Sequence, residues 1–189
     1  IEEAFIKYMS RKLRIQYRNQ MHFLTEAGGS IWHFDSEGDI VYDQTKSVSL
    51  DEDIKRNTKE QILVVMLECG LGQHLTSGSI VLIERRSELS LFFTDPGLRV
   101  YIEQIAQALQ ARLSGQNLHI ERSSIAIDIA LCTKAESATR LIEELGISAD
   151  NVYIFGDNFN DFDMLALPGI HSVFVGDPSI LPAYLKDRV

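Results

Sequence analysis

The stretch Phe155-Gly156-Asp157-Asn158-Phe159-Asn160-Asp161-Phe162-Asp163-Met164-Leu165 decides how this chain is read. It follows Val152-Tyr153-Ile154-Phe155, a continuous apolar run of the kind a strand buried on both faces requires. Ligands of open α/β sheets bind just beyond the carboxyl ends of the strands. Gly156 allows a tight turn out of the strand. Asp157 then falls at the strand end, and Asp161 follows four residues later at the start of the next helix. Two carboxylates converging there make a hard-oxygen site of the type Mg²⁺ favours when it keeps waters and shares a phosphate. Asn and Asp at such a turn also serve as helix N-caps, with Asp163 a surface acid of the first turn, so the residues alone leave both readings open.

Upstream, Thr133-Lys134-Ala135-Glu136 has the spacing of a capping box. Ala135, Ala138, Leu141, Ile142 and Leu145 give the following helix its buried stripe, and Gly146 ends it. Lys134 therefore stands in a first turn, where the helix dipole disfavours a cation. A phosphate held at the same helix N-terminus would reverse that preference. An ordinary solvated lysine is the other reading.

From Thr133 onward the pattern is helix (134–145), strand (152–155), short helix (about 160–167) and strand (171–175), which implies a parallel sheet covered by helices. The preceding segment differs. Residues 1–24 read as a helix followed by a short apolar stretch, with paired Gly28 and Gly29 after it. Ser30 to Phe34 and Asp39 to Tyr42 read as a hairpin around the polar Asp35-Ser36-Glu37-Gly38. Ser49 to Leu71 reads as a helix; Ser79 to Ile83 and Leu89 to Phe93 as strands; 98–113 as a helix; and Leu118 to Ile120 and Ser124 to Leu131 as strands. The expectation is an α/β fold: a Rossmann-like parallel-sheet core formed by 1–46 and 124–189, interrupted by an α+β insert over 47–123.

The order strand, Lys134, helix, apolar strand, then Gly156-Asp157-x-x-Asn160-Asp161-x-x-Met164-Leu165 resembles motifs III and IV of the haloacid dehalogenase superfamily. Its sugar-phosphatase branch, with an α/β cap of the second type, is the nearest in pattern. Phe23-Leu24-Thr25-Glu26-Ala27-Gly28-Gly29-Ser30-Ile31 is similar to the segment after motif II of that branch, with Ala27 in place of the usual Asn. The resemblance implies a Mg²⁺-dependent phosphatase that works through an aspartyl-phosphate intermediate. In it Lys134 neutralises the phosphoryl group, Asp157 ligates Mg²⁺, Asp161 holds the metal or its water, and Asn160 hydrogen-bonds in the phosphate pocket. It also implies an upstream nucleophile motif, Asp-x-Asp-Gly-Thr, which is not visible here, so the chain is expected to be inactive alone. Ile31-Trp32-His33-Phe34-Asp35-Ser36-Glu37-Gly38 superficially imitates that motif, but its position after the Thr25–Ser30 landmark favours a hairpin turn.

Composition narrows the partners. The 189 residues carry a formal charge of -9, which argues against a nucleic-acid or anionic-membrane surface. No apolar run approaches the roughly 20 residues that span a bilayer. Cys69 and Cys132 lack metal-type spacing and read as reduced thiols of a cytoplasmic protein. The expected partner is a small phosphorylated metabolite, with a sugar phosphate the leading class. A non-catalytic binding module and a phosphomutase are the alternatives.

Overall fold

The computed structural model describes Tyr8 and residues 22–189. Apart from Tyr8 and residues 22–24, the helix expected over 1–24 lies outside the described residues. Strands β1 (His22–Thr25), β2 (Ser30–Phe34) and β3 (Ile40–Tyr42) form an antiparallel meander in that order. The β2–β3 turn is closed by Asp35, whose Oδ1 accepts the Glu37 and Asp39 N–H groups at 2.9 Å each. Residues 31–38 are thus a hairpin, as the turn chemistry predicts.

Next comes a second unit. Helix α1 (Glu52–Glu68) starts at an Asp51 cap, and α2 (Gly72–Ser77) follows it. Strands β4 (Ile80–Glu84) and β5 (Glu88–Phe93), a 3-10 turn over Pro96–Tyr101, α3 (Ile102–Leu113), β6 (His119–Arg122) and β7 (Ala126–Ala130) complete it. The sheet is antiparallel with order β4-β5-β7-β6. On β7, Ile127 and Ile129 point to a face covered by helices and are fully buried, while Asp128 points to the other. Leu91, Phe93, Ile62, Ile105 and Leu109 join them in one core cluster.

Here the structure moves a boundary. The sequence reading gave 124–131 to the second core segment, but β7 lies between β5 and β6 in the antiparallel sheet. Period-two alternation identifies a strand without naming its partner, and the cross-strand pairs Leu91 with Ile127 and Ile120 with Ile129 decide it. The four-stranded sheet thus runs through Ala130.

The last unit is α4 (Lys134–Leu145), β8 (Tyr153–Gly156), a 3-10 turn over Phe159–Asp161, α5 (Phe162–Leu165) and β9 (His171–Phe174). Strands β8 and β9 pair in parallel, as the α/β pattern predicts. Ile154, Leu165 and Leu185 form a separate, smaller core. Among the described residues, no helix is long and apolar enough to cross a membrane.

Candidate active site

Helix α4 begins with the reciprocal box its sequence predicts. The Thr133 hydroxyl accepts the Glu136 N–H at 3.1 Å, and the Glu136 carboxylate accepts the Thr133 N–H at 2.8 Å. Gly146 closes the helix in the left-handed conformation. Lys134 is therefore fixed in the first turn, against the helix dipole. Asp161 supplies the missing anion: Lys134 Nζ donates to Asp161 Oδ1 at 2.6 Å.

Asp161 does more than pair with the lysine. Its Oδ2 accepts the backbone N–H groups of Asp157 at 2.9 Å and Asn158 at 3.2 Å, so it ties the turn after β8 into a loop. Gly156 makes room for this, because a Cβ there would lie 2.6 Å from Asp161 Cβ. Burial works to raise the Asp161 pKa. The Lys134 hydrogen bond and charge and the two N–H groups outweigh it and hold the carboxyl below the usual carboxylate range.

Asp157 is the contrasting acid. It is exposed at the end of β8, and its carboxylate has no hydrogen bond or ion pair among the described residues. Lys134, Asp157 and Asp161 line one cavity of about 560 Å³, together with the Thr25–Gly28 turn, Ser137, Phe155 and Met164. The motif spacing thus brings three of the four predicted residues together. Asn160 does not join them. It lines a neighbouring recess of about 420 Å³ with Glu121, Phe159, Phe162, Asp163 and Tyr184. The 3-10 turn over Phe159–Asp161 turns consecutive residues by about 120°. Asn160 and Asp161 consequently face different spaces.

No group of three or more His, Cys, Asp or Glu side chains suited to a metal occurs among the described residues. The two Asp161 oxygens are engaged by three donors between them, whereas the Asp157 carboxylate has no hydrogen bond or ion pair among the described residues and is free to act as a hard-oxygen donor. Mg²⁺ is commonly held by one or two carboxylates plus waters and substrate phosphate, so Asp157 fits as one such ligand. Asp161, expected to hold the metal or its water, is engaged here by the Lys134 ammonium and the Asp157 and Asn158 N–H groups.

Sequence reasoning missed Glu121. It stands on β6 directly opposite Asp128 and within electrostatic reach of Lys134. Burial pushes its carboxyl up to about 7, with Asp128 and Asp163 adding to the rise and Lys134 opposing it. The only signal in the sequence was an acid next to the short Leu118–Ile120 strand, which does not reveal what it faces.

The profile of the haloacid dehalogenase-like hydrolases matches residues 17–177. No curated protein sequence matches the chain. Among solved structures, the chain is similar to sucrose-phosphatase from Synechocystis, with a TM-score of 0.57 at 16% identity over 92% of this chain and 68% of that one. An IMP-bound, N-terminally truncated IMP-nucleotidase from Plasmodium falciparum gives 0.62 at 15% identity over 94% of this chain, which spans 50% of the nucleotidase. A haloacid dehalogenase-like hydrolase from Bacteroides thetaiotaomicron gives 0.53 at 18% identity, covering 87% of this chain and 68% of that one. At these identities the likeness is one of fold.

Proposed function

We infer that this chain, which belongs to the haloacid dehalogenase-like hydrolases, serves a Mg²⁺-dependent phosphatase acting on a small phosphorylated metabolite, a sugar phosphate by preference. The observation that carries the reading is the convergence of Lys134, Asp157 and Asp161 on one cavity at the carboxyl end of β8.

In this reading Lys134 faces the phosphoryl oxygens with its ammonium, already oriented by Asp161 before substrate arrives. Asp161 holds that lysine and the Asp157 and Asn158 amides in register. Asp157 would hold the metal, which when bound would supply neutralisation of charge on the transferring phosphoryl group. The attacking carboxylate implied by the resemblance is not placed among the described cavity residues, and the activity is assigned to the protein that carries it. The four-stranded unit is the cap, and the recess beside Lys134 receives the organic part of the ester. Its aromatic rings Phe159, Phe162 and Tyr184 offer flat faces, and Glu121, Asp163 and Asn160 accept hydrogen bonds from hydroxyl groups. The protein is assigned to the cytoplasm on its reduced-thiol, acidic composition.

The test is phosphate release from a panel of sugar phosphates by the protein in its full reading frame, with Mg²⁺ and with chelator. Free phosphate that depends on Mg²⁺ supports the reading. Binding without release would make the protein a binding module, and an isomerised sugar phosphate without free phosphate would make it a mutase.

A further inference from the structure

Among the described residues the two hydrophobic clusters do not merge: one belongs to residues between Leu50 and Leu131, the other to residues between Ala138 and Leu185. What joins the two units is largely polar. Some contacts cross directly, with Asn158 Nδ2 donating to Ser124 Oγ at 3.3 Å, His119 Nε2 3.4 Å from the Glu136 carboxylate and Arg122 over the Phe159 ring, and others gather on the turn between β1 and β2. The Glu26 carboxylate Oε2 accepts the Ser87 N–H at 2.7 Å and the Ser87 hydroxyl at 2.6 Å, across 61 positions of sequence. Ser87 lies in the β4–β5 turn and is fully buried. A Cβ on Gly29 would stand 2.4 Å from Ser87 Cβ, so the two turns meet where only glycine fits. From the other side, the Ala27 carbonyl accepts the Ser137 hydroxyl at 3.2 Å, and the Gly28 carbonyl accepts Arg140 Nη2 at 3.4 Å.

Glu26 and Ala27 both adopt left-handed backbone conformations, with φ of 54° and 53°. Residues with a Cβ avoid that region, and such strain persists where surrounding contacts over-determine it. The same turn lines the cavity that holds Asp157.

We propose that Glu26 is a positioning residue whose carboxylate pins the β4–β5 turn to the cavity rim and thereby sets how the four-stranded unit sits over the site. Polar joints between units with separate cores permit relative motion unless something fixes them. Here Glu26 is the fixing contact on the β1–β2 turn, seconded by Arg86 stacked 4.3 Å from the centre of the Tyr42 ring. This inference stands on the joint alone and does not depend on the phosphatase reading.

The experiment is a pulsed-EPR distance measurement on the full chain. Spin labels go on Val100→Cys in the four-stranded unit and Tyr153→Cys on β8, which are 77% and 64% exposed. Cys69→Ser and Cys132→Ser form the common background. With Glu26 intact the distance distribution is narrow. Glu26→Ala broadens it by about twofold or more, as expected of a released joint, and Glu26→Gln, which keeps an acceptor for the Ser87 N–H, restores most of the narrowness. An unchanged narrow distribution in Glu26→Ala overturns the proposal. Should that variant fail to fold, Ser87→Ala decides: it loses the hydroxyl contact, keeps the backbone one, and broadens the distribution to a smaller degree. A narrow distribution there overturns the proposal equally.

Discussion

The four-stranded unit and the parallel unit divide stability and chemistry between them. In the first, Phe93, Leu91, Ile105, Leu109, Ile127 and Ile129 are fully buried between a sheet and its helices. In the second, only Ile154, Leu165 and Leu185 are buried hydrophobics among the described residues, and Tyr153 and Phe155 on β8 stand exposed. Yet Lys134, Asp157 and Asp161 belong to the second. A site held by few apolar contacts must be held by something else, and here it is the charged stitching around Asp161. The comparison teaches that one stretch of chain can be ordered mainly by buried area while another leans on a handful of charge-assisted hydrogen bonds.

The comparison breaks most easily at the core. Phe93→Ala removes a fully buried ring from the four-stranded unit and is expected to cost about 3–5 kcal/mol in denaturant unfolding. A loss under about 1 kcal/mol would mean that the unit is not packed as described.

The next effect sharpens the contrast. Asp161→Asn removes the charge partner of Lys134 and is expected to cost about 1.5–3 kcal/mol at neutral pH. Because the folded carboxyl is held below its ordinary value, its contribution is present above the unfolded pKa and is lost as pH falls through the folded one. The difference between wild type and Asp161→Asn should therefore shrink in acid. A difference that persists unchanged at low pH would show that the ion pair is not its source.

Much of this was legible in the sequence. Thr133, Glu136 and Gly146 announced the helix that carries Lys134, and the apolar run before Gly156 announced the strand that carries Asp157, because caps and runs are local signals. Asp35-Ser36-Glu37-Gly38 announced a turn for the same reason. The partner of Ser124–Leu131 was not legible, since alternation fixes a strand's faces and not its neighbours. Nor was the divergence of Asn160 from Asp161, which depends on a 3-10 turn rather than on spacing. Glu26 and Glu121 act on residues distant in the chain, Ser87 and Lys134, and no local pattern encodes such a contact.

Glu121 gives the smallest stability effect and the opposite pH sign. Its folded pKa is about 7, above the ordinary glutamate value, so the folded state binds the extra proton between those two values. Stability attributable to it is complete below the unfolded pKa and is lost as pH rises toward 7. Glu121→Gln is thus expected to stabilise the protein by about 1–2 kcal/mol at pH 8 and by almost nothing near pH 4.5. Unfolding midpoints at the two pH values measure this, and a gain confined to the acidic one would contradict it.

The central claim is that the carboxylate at the end of β8, and not the acid of the β2–β3 hairpin, serves phosphoryl chemistry. It is tested most directly by Mg²⁺-dependent phosphate release from the protein in its full reading frame, comparing Asp157→Ala with Asp35→Asn. The account predicts that Asp157→Ala loses at least about 10²-fold in turnover while Asp35→Asn stays within about twofold of wild type, since Asp35 only closes a turn. Full activity in Asp157→Ala, or its loss in Asp35→Asn with the fold intact, would contradict the account.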